Sequence, residues 1–178
     1  MKESNYPFTY LLEYIPQRFA EINDWEKTER YIIFDFKSGI YTTSLMRKIQ
    51  KKIIDITKGN YESWCMAFIP AATESATKKR YGRLVDFLKD SIPMDISLDA
   101  VQFVGDYSSR HGKEKEKVYS ESYTYSVSLN FVFNRNVILF DDIITSGKTY
   151  QQIACCVMSA KAISVQGLML AKTVYPKD

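Results

Sequence analysis

The sequence predicts an α/β protein whose Rossmann-like, mainly parallel sheet is flanked by helices, all within a single domain, residues 1–178. Three observations predict it. Short apolar runs alternate with longer segments of helical period, the pattern of successive βα units. The run VILFDDIITSGKT, Val137 to Thr149, reads as a buried strand that hands two adjacent carboxylates to a small-residue turn and a helix start. A chain of 178 residues, 46% hydrophobic and 25% charged, can bury one sizeable core and is too apolar for disorder.

Residues 1–30 are aromatic-rich and interrupted by Pro7 and Pro16, so they read as an irregular capping or hood segment. Tyr31–Lys37 (YIIFDFK) reads as a strand, with Ser38 and Gly39 as its turn. Over Thr43–Thr57 the residues Met46, Ile49, Ile53 and Ile56 recur on one helical face, and Lys58, Gly59 and Asn60 supply the C-cap. Trp64–Pro70 is a continuous apolar run, hence a buried strand. A helix follows from Ser75 to Lys89, with Tyr81, Leu84, Val85 and Leu88 facing inward.

Ala100–Val104 is a short strand, Gly105–Ser120 a polar loop, and Val118–Phe133 is at least partly strand. The strand Asn136–Asp141 comes next. A helix from Gly147 to about Ala160 buries Tyr150, Ile153, Ala154, Val157 and Met158, and Ala162–Thr173 is the last strand. In such sheets ligands sit beyond the carboxyl ends of the strands, where Asp141 and Asp142 emerge.

Composition narrows the chemistry. The net charge of +3 gives little support to nucleic-acid binding. His111 is the only histidine, which argues against a His-based triad or a His-rich metal site. Cys65, Cys155 and Cys156 have no metal-ligand spacing and read as free thiols. No apolar run is long enough to span a bilayer, and the first residues lack a signal-peptide core, so the cytoplasm is the expected location.

Carboxylates accept hydrogen bonds, so an acidic pair suits the vicinal hydroxyls of a ribose. The turn Thr145–Thr149 offers amides, hydroxyls and a helix N-terminus to an anion. Placed side by side, the two describe a ribose-5-phosphate site. The letters SGKT also imitate the end of a P-loop, but Asp142 stands where that loop needs glycine, and a carboxylate there would repel a triphosphate.

The run resembles the phosphoribosyl-pyrophosphate (PRPP) signature of type I phosphoribosyltransferases. The resemblance implies that family's fold and assigns Asp141 and Asp142 to the ribose hydroxyls, with metal contact direct or through water. It assigns Ile143, Ile144, Thr145, Ser146, Gly147, Lys148 and Thr149 to the 5-phosphate side. By position it makes Pro70, Ala71, Ala72 and Thr73 a pyrophosphate loop, often strained or cis in that family. It also makes the Gly105–Ser120 segment a closing lid, with Arg110, Lys113, Lys115 and Lys117 as basic contacts. Lys37 is a further candidate phosphate contact.

The order of IIFDFKSG, the strand ending at Ile69 and Pro70, the basic stretch Lys78–Arg83 and the signature is most like the ComF-like branch. That branch's amino-terminal zinc module is absent, and its Arg-Gly-Phe-Asn-Gln run is only approximated. The implied activity is transfer of a phosphoribosyl group from PRPP, with Mg2+, to a nitrogen acceptor, releasing pyrophosphate. A homodimer is implied by the relatives. The alternatives are a PRPP-sensing module without catalysis and a competence-related, ComF-like DNA-uptake module.

Overall fold

A computed structural model describes residues 6–18, 23–104 and 124–175. Its main sheet has five strands in the order β1 (Phe8–Tyr14), β7 (Ser164–Thr173), β6 (Asn136–Ile144), β2 (Trp64–Phe68) and β3 (Asp95–Ser97). Every neighbouring pair is parallel. A separate antiparallel ribbon joins β4 (Val101–Val104) to β5 (Thr124–Val127). The Rossmann-like, mainly parallel α/β class expected from the sequence is therefore the one observed.

The central strands carry alternating apolar side chains to two opposite layers. On one side Met66, Phe68, Ile138 and Phe140 meet α1 (Asp24–Lys37), α2 (Thr43–Thr57) and α3 (Glu74–Ser91) through Ile33, Phe36, Ile49, Ile53, Tyr81 and Leu84. On the other side Cys65, Ala67, Val137 and Leu139 meet α5 (Lys148–Ser159), the ribbon and the short α4 (Leu129–Val132). Both faces are covered, so the strands are apolar throughout, as parallel strands must be.

Three expectations are corrected. Tyr31–Lys37 is not a strand but the second half of α1. Asn23 caps that helix by accepting from the Glu26 amide at 2.9 Å, and Glu26 bonds back to the Asn23 amide at 2.8 Å, a complete capping box. Glu29, Ile33 and Phe36 then fall on one buried face at helical spacing, while Tyr31 is exposed.

The expected irregular 1–30 segment contains an ordered edge strand, β1, docked on β7. The signature strand also runs past the acids. Asp141, Ile143 and Ile144 still pair in register with Met169, Ala171 and Lys172. The helices Thr43–Thr57 and Glu74–Ser91, and the strand Trp64–Phe68, fall where periodicity placed them.

Candidate functional site

The carboxyl ends of β2 and β6 are neighbours, and their following loops face each other across a cleft of about 290 Å3. Pro70, Ala71 and Ala72 form one wall. Asp141, Asp142 and the whole Thr145–Thr149 loop form another, with Arg80 between. The fold thus brings together the acid pair, the small-residue turn and most of the loop after β2. Thr73 lines an adjoining cavity of about 330 Å3, which shares Pro70, Ala71 and Ala72 with the first.

The two acids are held before any ligand is considered. Tyr81, buried in α3, donates its hydroxyl to Asp141 Oδ1 at 3.1 Å, and the Asp142 amide donates to the same oxygen at 2.8 Å. Asp142 is 5% exposed, and its Oδ1 accepts from the Ile143 amide at 2.6 Å. Its Oδ2 lies 2.8 Å from Arg80 Nη1 and 3.9 Å from Lys37 Nζ. Two of the four carboxylate oxygens thus accept hydrogen bonds, Asp142 Oδ2 has only its cationic neighbours, and Asp141 Oδ2 has no partner among the described residues.

Burial raises the Asp141 carboxyl well above the ordinary range, and the Asp142 charge raises it further. Burial likewise raises the Tyr81 hydroxyl, with both carboxylates adding to the effect, so Tyr81 stays a proton donor. Burial works against the Arg80 charge, but Asp142, Tyr81 and Asp141 outweigh it and keep the guanidinium charged. The cluster is a carboxylate pair with its counter-charge built in.

The loop after β6 is made differently. Thr145, Ser146, Lys148 and Thr149 are exposed, and Gly147 takes φ +75° at the N-cap of α5 with no side chain capping the helix. The Lys148 amide reaches Ser146 Oγ at 3.5 Å, and the next amides of α5 have no intrahelical partner, so this helix end suits an anion. Glycine is required because a side chain would strain this left-handed conformation.

In the loop after β2, the Ala71 amide donates to Thr77 Oγ1 at 3.0 Å, which leaves the Ala72 and Thr73 amides for a ligand. All peptide bonds among the described residues are trans, so the cis peptide that the family resemblance suggested for this loop is not present. Lys37 meets Asp142 rather than a phosphate position. Arg110, Lys113, Lys115 and Lys117 lie outside the described residues. The described residues contain no group of three or more His, Cys, Asp or Glu side chains able to hold a metal.

Sequence reading missed Arg80 and Tyr81 as partners of the acids. The helical phase that turned Tyr81 inward with Leu84 and Leu88 was the available signal. Helix α3 is fixed against its neighbours by Tyr41, whose hydroxyl accepts from the Leu84 amide at 2.9 Å and whose carbonyl accepts from Arg83 at 2.8 Å.

No family model and no curated protein matches the chain. Among solved structures it is similar to a hypoxanthine-guanine phosphoribosyltransferase from Bacillus anthracis, at 18% identity and a TM-score of 0.43 over 75% of this chain and 71% of that one. A hypoxanthine phosphoribosyltransferase from Staphylococcus aureus aligns at 14% identity and TM-score 0.38, covering 77% of each chain. A purine phosphoribosyltransferase from Pyrococcus horikoshii aligns at 14% and 0.40, over 78% of this chain and 92% of that one. These three are purine-type enzymes rather than ComF-like proteins. No described helix is long and apolar enough to cross a membrane.

Proposed function

We propose that this chain binds PRPP with Mg2+ and transfers its phosphoribosyl group to a nitrogen acceptor, releasing pyrophosphate. One observation carries the reading. A single cleft joins an open carboxylate oxygen on Asp141 to the uncapped Thr145–Thr149 turn, with the Pro70–Ala72 loop opposite. A ribose hydroxyl, a 5-phosphate and a pyrophosphate are the groups those three features suit.

In this scheme Asp141 orients the ribose, and the α5 amides and the loop hydroxyls fix the 5-phosphate. The loop after β2 takes the leaving group. Breaking the C1–O bond puts positive charge on the sugar ring and negative charge on pyrophosphate. The nearby carboxylates favour the first, and Arg80 supplies positive charge for the second. Asp141 Oδ2 is the oxygen that would meet Mg2+, directly or through water. A single carboxylate fits an ion that keeps most of its water and takes its other oxygens from the substrate. The ion's chemistry is to neutralise charge growing on the leaving oxygens.

Calorimetric titration with PRPP and Mg2+ tests the proposal. Wild type is expected to bind, and Asp141→Asn/Asp142→Asn to lose binding while remaining folded. A folded wild type that ignores PRPP would overturn it.

A further inference from the structure

The acid pair contains a contradiction that points to motion. A ribose presents two vicinal hydroxyls, yet only Asp141 Oδ2 is open to accept one. Asp142 Oδ2, the next acceptor, is buried, and although Arg80 Nη1 stands 2.8 Å away the geometry makes no hydrogen bond. Arg80 Nε is also buried and has no hydrogen-bond partner. A buried ion pair normally persists because hydrogen bonds satisfy both members. Here neither is satisfied by the contact they share.

We infer that Arg80 is a movable bridge, which pairs with Asp142 in the structure described and passes to the pyrophosphate of a bound ligand, uncovering Asp142 Oδ2 for a second ribose hydroxyl. The inference rests on the PRPP reading above. Three observations support it. Arg80 lines the same cleft as Pro70, Ala71 and Ala72, where the pyrophosphate is placed in this reading. A guanidinium fork suits two phosphate oxygens better than one misaligned carboxylate oxygen. Lys37 Nζ, 3.9 Å from Asp142 Oδ2, remains to balance Asp142 once Arg80 leaves.

The bridge makes the two halves of the ligand help each other. Pyrophosphate draws Arg80 away and so improves the ribose site, and linkage requires the reverse effect to be equal. Mg2+ shared by the two anions would also favour their joint binding, so the part of the coupling that Arg80 carries is what the bridge predicts. Loss of the coupling in folded Arg80→Met therefore decides the matter, and coupling that persists unchanged in that variant overturns the bridge.

The test is titration of the full chain with ribose 5-phosphate, in Mg2+, with and without saturating inorganic pyrophosphate. Pyrophosphate is expected to tighten ribose 5-phosphate at least fivefold in wild type. In Arg80→Met the coupling should vanish and pyrophosphate affinity should fall at least tenfold. Asp142→Asn, which releases Arg80 without removing it, should bind pyrophosphate as tightly as wild type or tighter, again with no coupling. Thermal melting confirms that each variant is folded.

If wild type binds both ligands and pyrophosphate leaves ribose 5-phosphate unchanged or weaker, the bridge is wrong and the PRPP reading stands. Loss of pyrophosphate binding in folded Asp142→Asn would also overturn the bridge. A wild type that binds neither ligand overturns both.

Discussion

The acid pair and the turn that follows it are consecutive in the chain and opposite in construction. Asp141 and Asp142 are gripped from outside their own strand, by Tyr81 and Arg80 of α3 and Lys37 of α1. Thr145, Ser146, Lys148 and Thr149 are exposed, with local backbone and a helix N-terminus as their only evident apparatus. In the proposed scheme the phosphate turn is complete within its own dozen residues. The acid pair, which that scheme gives to the ribose, depends on side chains far away in sequence, and can be tuned or broken from there.

The largest expected effect comes from breaking that outside grip. Asp142→Ala leaves the half-buried Arg80 charge without its closest partner and the Ile143 amide without its acceptor, losses that together cost about 3 kcal/mol. Chemical denaturation should show it. Arg80→Met is expected to be milder, since Lys37 still faces the acid. Equal and small losses in both would mean that the pair is solvated and loosely held.

Next is Gly39→Ala, at the turn between α1 and α2. Gly39 has φ +79°, and a Cβ there would come within 2.3 Å of the Lys79 carbonyl oxygen, next to Arg80. Left-handed strain and the backbone clash together are expected to cost about 2–4 kcal/mol. The variant should also weaken ligand binding, because α3 must shift with Tyr81 and Arg80 on it. Unchanged stability by thermal unfolding would show that this contact is not tight.

Asp141 provides a prediction of opposite sign. Its raised carboxyl means that the folded state prefers the neutral acid. Its contribution to stability is full below the ordinary carboxylate range and is lost as pH rises through the raised value. Asp141→Asn should therefore be more stable than wild type at neutral pH, with a flatter pH dependence, while losing affinity for PRPP. Wild-type stability that rises with pH across this range relative to Asp141→Asn would contradict it. A site residue that costs the fold and serves the ligand is the expected trade.

The smallest effect belongs to the open turn. Lys148 is exposed and caps nothing, so Lys148→Ala should change stability by less than about 0.5 kcal/mol. Its effect on PRPP affinity should be well below that of Asp141→Asn, because the amides do the binding. A loss as large as that of Asp141→Asn would move the phosphate contact from backbone to side chain.

The same contrast explains what could be read from the letters. The signature strand, its acids and the turn were legible because their signals are local: apolar run, two charges, small residues, helical period. The helix Thr43–Thr57 was legible because Met46, Ile49 and Ile53 repeat on one buried face. Tyr31–Lys37 misled because its β-branched and aromatic residues imitate a strand. The capping box at Asn23 and Glu26 was the stronger evidence and lay just before the run.

Strand β1 was missed because it is an edge strand with no clean alternation, and its partner β7 lies at the other end of the sequence. Arg80 and Tyr81 were visible only as part of a basic stretch. Their role needs the fold, since nothing near them in sequence announces a carboxylate partner.

The measurement that tests the account most directly is a paired titration with ribose 5-phosphate and 2-deoxyribose 5-phosphate. Removing a hydroxyl that pairs with a carboxyl oxygen leaves that oxygen unpaired, at a cost of about 1–3 kcal/mol. Wild type should therefore bind the deoxy sugar phosphate about tenfold more weakly, and Asp141→Asn should bind the two more nearly alike. Equal affinities in wild type would contradict the claim that the acids at the end of β6 read the ribose hydroxyls.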